Sequence, residues 1–334
     1  MNPQSTVRAF FRAIKVENTS SPYDTLHLKI YYPGQLSGDN QEQNLGVIPP
    51  KSEQAPFPIV IFFNGINCPP DVYQWLAVDL ATQGLVVITF AWVAENLPGM
   101  VSLTPGVDIE AWSPDNYGKK ATASALPVLM QALENLQAEG LLAGLLDLDQ
   151  VILGGHSAGG RVAIESASQT FFPQLAGAFA YAAHTVGGVN LGYKPGTILP
   201  LPDSLPLLLL GGTEDGVIAN NSHQYGLDWE TATTPILRTF QESISGGRGD
   251  SYLVLFEGAN HFSIAHPHDS TTGTSFLDFP ATQPETEIRS LMARIISLFI
   301  QSHIMKGATN LEKREELQNL LRSNQPLLKT GQWK

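Results

Sequence analysis

Val151-Ile152-Leu153-Gly154-Gly155-His156-Ser157-Ala158-Gly159-Gly160 is the stretch that decides how this chain is read. Its first three residues are apolar, as in a strand covered on both faces. Residues 160–169 carry a helical pattern. Between them, Gly155-His156-Ser157-Ala158-Gly159 fits G-x-S-x-G. Five such residues alone recur by chance, but a strand before and a helix after supply the setting of a nucleophile elbow. So tight a turn leaves no room for a bulky side chain at 155 or 159. Ser157 is then held in a strained conformation with its hydroxyl above the sheet edge.

A serine hydroxyl is a weak nucleophile without a base. In this chain order an acid is expected after a later strand and a histidine after the last one. The apolar run 207–210 leads into Gly211-Gly212-Thr213-Glu214-Asp215-Gly216-Val217-Ile218. Of the two acids, Asp215 is the choice, because small and apolar neighbours suit a side chain turned inward. Glu214 reads as its solvated neighbour. The run 252–256 leads into Glu257-Gly258-Ala259-Asn260-His261-Phe262, which sets His261 beside the elbow. An oxyanion needs fixed N–H donors. Ala158, opening a helix, is one; Ile66, in Asn64-Gly65-Ile66-Asn67 after the run 59–63, is the other. Asn67, Trp92, His156 and His184 are further candidates for substrate contact, with simple packing the competing reading for Trp92. Cys68 reads as a pocket wall. His266, His268 and Asp269 are too weak a pattern for a metal site, and neither metal nor cofactor is expected.

Working outward, the runs 59–63 and 85–90 are continuous apolar strands flanking a helical pattern over 71–83 that stops at Gly84. Strand, helix, strand at this spacing is a βαβ unit of a parallel sheet. Thr25 to Tyr32 alternates apolar and polar residues, and further strands are expected at 175–181, 207–210 and 252–256. A helix is expected at 119–138, with Pro127 near an end or at a kink, and another at 285–303. The expectation is one doubly wound α/β domain over 25–303 with helices on both faces, an N-terminal extension (1–24), pocket-framing loops (91–117 and 185–206), and a C-terminal helical tail (304–334). In the tail, Thr309 to Glu312 fits a capping box, and Leu311, Leu317, Leu320 and Leu321 form an apolar stripe. The stripe packs on its own body, makes a homodimer contact or forms a site for a partner.

The chain has 334 residues, 43% hydrophobic and 15% charged, which excludes disorder as its main state. A formal charge of −12 sets it against nucleic acid and anionic membranes. The single cysteine cannot make an internal disulfide. No apolar run approaches the roughly 20 residues of a spanning helix, and the start lacks the apolar region of a signal peptide. The expectation is therefore a cytoplasmic protein without a transmembrane anchor.

Three blocks carry a family resemblance: 58–90 with its Asn64-Gly65-Ile66 turn and Gly84-Leu85-Val86-Val87-Ile88-Thr89; 151–160; and 207–218 followed by 252–262. Through them the chain resembles the α/β-hydrolase superfamily, and within it the branch of dienelactone hydrolases, chlorophyllase-like enzymes and cutinase-like polyester hydrolases. The resemblance implies a Ser157–His261–Asp215 triad with Ile66 and Ala158 as oxyanion donors, in agreement with order and spacing. Asn64 stands where many relatives have His or Pro. The expected function is hydrolysis of a small-molecule or lipid-like carboxylic ester through an acyl-enzyme. Thioester cleavage or acyl transfer by the same triad is the alternative, and a non-catalytic binder on the same scaffold is the rival from another class.

Overall fold

The computed structural model describes residues 4–306 and 310–334, apart from 18, 37, 39–41, 43, 45 and 98. Its strands are β1 (Gln4–Lys15), β2 (Thr25–Leu36), β3 (Phe57–Phe63), β4 (Val86–Leu97), β5 (Met100–Leu103), β6 (Leu146–His156), β7 (Leu175–Tyr181), β8 (Leu207–Glu214), β9 (Ser251–Asn260) and β10 (Leu328–Trp333). The helices are α1 (Gln74–Thr82), α2 (Leu126–Ala138), α3 (Ala158–Glu165), α4 (Gly216–Asn220), α5 (Thr234–Ser243), α6 (Glu285–His303) and α7 (Asn310–Arg322).

One sheet runs in the order β1-β2-β4-β3-β6-β7-β8-β9-β10, with β5 a hairpin partner of β4. From β4 to β9 every neighbouring pair is parallel. Helices flank the sheet on both sides, and β3 is buried at every position, as its unbroken apolar run requires. Parallel pairing puts the carboxyl ends of β3, β6, β7, β8 and β9 along one side of the sheet. There the chain repeatedly leaves a strand for a loop or helix, which is where such sheets gather functional residues.

The ends of the chain depart from expectation. Residues 1–24 were expected to form an extension, but β1 pairs with β2 antiparallel from Gln4–Leu36 to Lys15–Thr25. Val7, Phe10 and Ile14 pack on the core, while Arg8, Arg12 and Lys15 stay exposed. Charge on an outer strand discourages further pairing, and it also hid the strand's pattern. The tail is not wholly helical, for β10 pairs antiparallel with β9. Leu317 and Leu321 are buried within the chain, so the stripe offered for a homodimer is largely occupied; of its four leucines, Leu311 stays exposed. Thr309 of the capping box lies outside the described residues. Pro127 sits in the first turn of α2, where a missing N–H costs nothing. Among the described residues no helix is long and apolar enough to cross a membrane.

Candidate active site

Ser157 joins β6 to α3 with φ 55° and ψ −125°, a strained backbone for a residue with a side chain. The glycines around it make the turn possible. A Cβ on Gly155 would lie 2.5 Å from the Gly159 backbone, and one on Gly159 would lie 2.3 Å from the Asn64 carbonyl oxygen. Ser157 N–H donates to the Tyr181 carbonyl (2.9 Å), which ties the turn to β7.

Asp215 follows β8 and His261 follows β9; both are buried. Nδ1 of His261 lies 3.0 Å from Asp215 Oδ1 and 2.9 Å from Oδ2, so its proton is shared between the two oxygens and Nε2 keeps the lone pair. Ile218 N–H donates to Asp215 Oδ1 (2.8 Å), fixing the carboxylate from below. Burial pushes the His261 imidazole down, but the charge and hydrogen bond of Asp215, with the charge of Asp278, more than offset this and raise it above an ordinary histidine. Glu214 is half-buried and takes no part in this pair.

The loop after β3 has a specific hydrogen-bond pattern. Gly65 N–H donates to Tyr73 Oη (3.2 Å), Asn67 N–H to the Leu103 carbonyl (2.8 Å) and Cys68 N–H to the Gly65 carbonyl (3.1 Å). Among the described residues, the N–H groups of Ile66 and Ala158 have no acceptor. Asn64, buried, donates from Nδ2 to the Gly65 and Cys68 carbonyls (2.9 and 3.1 Å) and so ties the two ends of the turn together. Ser157, Ala158, Ile66 and His261 line one cavity of about 360 Å³, together with Asn67 and His184.

Two sequence candidates for substrate contact lie elsewhere. Trp92 is buried and donates from Nε1 to the Tyr23 carbonyl (2.8 Å), which makes it a packing residue. His156 is fully buried beneath the cavity. Its Nε2 faces the His261 carbonyl (3.0 Å), which can only accept, so Nδ1 accepts from Tyr73 Oη (2.9 Å). Burial holds His156 well below the usual histidine range, hence neutral. Gly65, Tyr73, His156 and His261 thus form one chain of hydrogen bonds joining three loops. Asn67, at φ 56°, also accepts from Leu103 N–H through Oδ1 (3.2 Å), docking the β4–β5 hairpin. Cys68 is buried in the cavity wall, its thiol pushed up to about 11 by burial.

The loop 91–117 contributes Trp112 to the cavity, but residues 185–206 do not line it; the turn after α4, including Tyr225, and Gly273 and Thr274 do. Trp112 stacks under the Arg161 guanidinium (4.6 Å to the ring centroid) and donates to Glu165 (2.5 Å), while Arg161 Nε donates to Glu165 Oε1 (2.9 Å). This buried pair was missed in the sequence. The signal was there: Arg and Glu at i and i+4 on a helix that must pack on both sides. His268 packs on Phe262 (4.7 Å between ring centroids), and among the described residues no group of three or more His, Cys, Asp or Glu is placed to hold a metal ion.

A parallel sheet extended by antiparallel strands, flanked by helices on both faces and carrying a strand–serine–helix turn at its carboxyl edge, is the α/β-hydrolase fold. Among solved structures, a ferulic acid esterase from Streptomyces cinnamoneus superposes with a TM-score of 0.54, covering 93% of this chain and 96% of that one at 14% identity. No protein-family model matches the chain, and no curated protein matches it.

Proposed function

We propose that the protein hydrolyses carboxylic esters through an acyl-enzyme on Ser157. The observation that carries this reading is the strained Ser157 turn opening into the same cavity as His261, whose Nδ1 proton is held by Asp215. In the proposed reaction, His261 Nε2 takes the Ser157 proton as Oγ attacks the ester carbonyl. The Ile66 and Ala158 N–H groups receive the oxyanion. His261 then hands its proton to the departing alcohol, and water repeats the sequence on the acyl-enzyme. Asp215 stays ionised throughout, holding the tautomer and stabilising the imidazolium.

The sequence blocks favour the dienelactone hydrolase, chlorophyllase-like and cutinase-like branch of the fold. A cavity of about 360 Å³ with Trp112, Tyr225 and His184 in its lining suits an apolar or aromatic acyl or alcohol group. The solved neighbour is described as a ferulic acid esterase, so hydroxycinnamate esters belong in the substrate panel beside aliphatic ones.

The test is labelling by a fluorophosphonate probe, with parallel turnover of p-nitrophenyl esters of increasing acyl length and of methyl ferulate. Labelling and turnover are expected in the native protein, and both are lost in Ser157→Ala. A folded native protein that neither labels nor turns over any ester rejects the reading.

A further inference from the structure

The carboxylate of Asp278 is engaged wholly by backbone. Oδ1 accepts from the N–H groups of Gly216 (2.9 Å), His261 (3.3 Å) and Phe279 (3.0 Å), and Oδ2 from Phe262 (3.2 Å). Gly216 and His261 belong to the two separate loops after β8 and β9 that present Asp215 and His261. The segment around Asp278 is strapped across both. Asn220 Nδ2 donates to the Leu277 carbonyl (2.7 Å), Asn260 Nδ2 to the Phe279 carbonyl (2.8 Å), and Thr282 N–H to the Gly258 carbonyl (2.9 Å). The approach is so close that a Cβ on Gly216 would lie 2.3 Å from Phe279 N.

We propose that Asp278 is a positioning residue for His261 and Asp215, holding their two loops together and placing a second negative charge beside the imidazole. The inference rests on the functional reading above, since it assigns Asp278 a part in the same reaction. Two carboxylates then serve one histidine in different ways. Asp215 touches the ring, and Asp278 acts through the main chain and through its field. A hydrophobic residue filling the same space would leave buried N–H groups unpaired, which argues for a carboxylate here on packing grounds too.

The field has a readable sign. Around His261 stand Asp215 beyond β8, His156 at the end of β6, Tyr181 at the end of β7 and His184 beyond it, with Cys68, Arg161 and Tyr225 in the same cavity lining. Burial keeps both histidines neutral and the thiol and phenols protonated, and the fixed cation Arg161 is paired with Glu165. Negative charge therefore dominates at the ring, and the charge of Asp278 favours the imidazolium. Removing it lowers the pH at which His261 gives up its proton.

The experiment compares the native protein with Asp278→Asn and Asp278→Glu in p-nitrophenyl ester turnover against pH, thermal unfolding, and NMR titration of the His261 ring. In Asp278→Asn, kcat falls about 10- to 100-fold with KM within about twofold, as for a contact that serves only the transition state. The acidic limb of kcat/KM and the ring titration both move down by about half a pH unit. Asp278→Glu keeps the charge but misplaces it, so kcat falls and the limb stays. An Asn variant with native kcat and an unmoved limb overturns the proposal. So does a loss that merely tracks the unfolded fraction. Should the Asn variant not fold, a Glu variant with native kcat overturns it. If the native protein cleaves no ester, the functional reading fails separately, and an identical His261 titration in native and Asn proteins still rejects Asp278.

Discussion

Asp215 and Glu214 are adjacent in sequence, yet one is fully buried against an imidazole and the other is half-buried at a strand end. The difference follows from the turn into α4, where Asp215 caps the helix by accepting from Ile218 N–H and faces His261 while Glu214 ends the strand. Asp215→Asn presents an amide to Nδ1, which favours the wrong tautomer, and kcat is expected to drop on the order of 10³–10⁴-fold. Glu214→Gln is expected to stay within about twofold, a contrast that steady-state kinetics on any ester substrate reads directly. At this scale the sequence pointed to Ser157, Asp215 and His261 as candidates because each follows a strand in a fixed chain order. It carried neither Asp278 nor Tyr73, whose partners are a loop's amides and a ring nitrogen distant in sequence. No spacing rule encodes a carboxylate that reads only main chain.

Among elements, the strands buried on both faces were legible and those at the sheet's margins were not. The run 59–63 can be nothing but a central strand, whereas Leu328-Lys329-Thr330-Gly331-Gln332-Trp333 is half polar and sits after a helix. Its pairing with β9 depends on close contact with α7: a Cβ on Gly331 would stand 2.8 Å from both Cβ and the carbonyl oxygen of Leu321. Trp333 packs beside Tyr252, and Arg322 lies 4.7 Å from the Trp333 ring centroid. Gly331→Ala is expected to cost about 1–3 kcal/mol by overpacking, lowering Tm by roughly 2–8 °C in a calorimetric scan while leaving kcat at 25 °C unchanged. An unaltered Tm would mean that β10 adjusts freely and is no fixed part of the sheet.

For the molecule as a whole, histidines set the response to acid. Burial lowers His156 well below its usual value, His184 to about 3 and His303 to about 4, while His261 is raised. The first three take up protons in the unfolded chain from about pH 6.5 downward but not in the folded one, so stability falls as pH falls. At pH 5, His184 alone contributes a loss on the order of 2 kcal/mol. His261 has the opposite sign: its stabilisation is complete below about pH 6.5 and is lost as pH rises through its raised value. Three groups outweigh one, so Tm is expected to drop between pH 7 and pH 5, and less steeply in His184→Gln. A Tm that holds constant over that range would contradict the buried, neutral state of these rings.

The first and last described strands, β1 and β10, form the two outer margins of the sheet. A ribosome makes β9 long before β10, so the nascent chain exposes one side of β9, with its unpaired amides and carbonyls, throughout synthesis of the helices in between. The strand left uncovered is the one whose end carries His261. The margin closed last therefore lies along the strand that leads to His261, and until residues 328–333 dock, β9 presents an open edge to a chaperone or to another nascent strand.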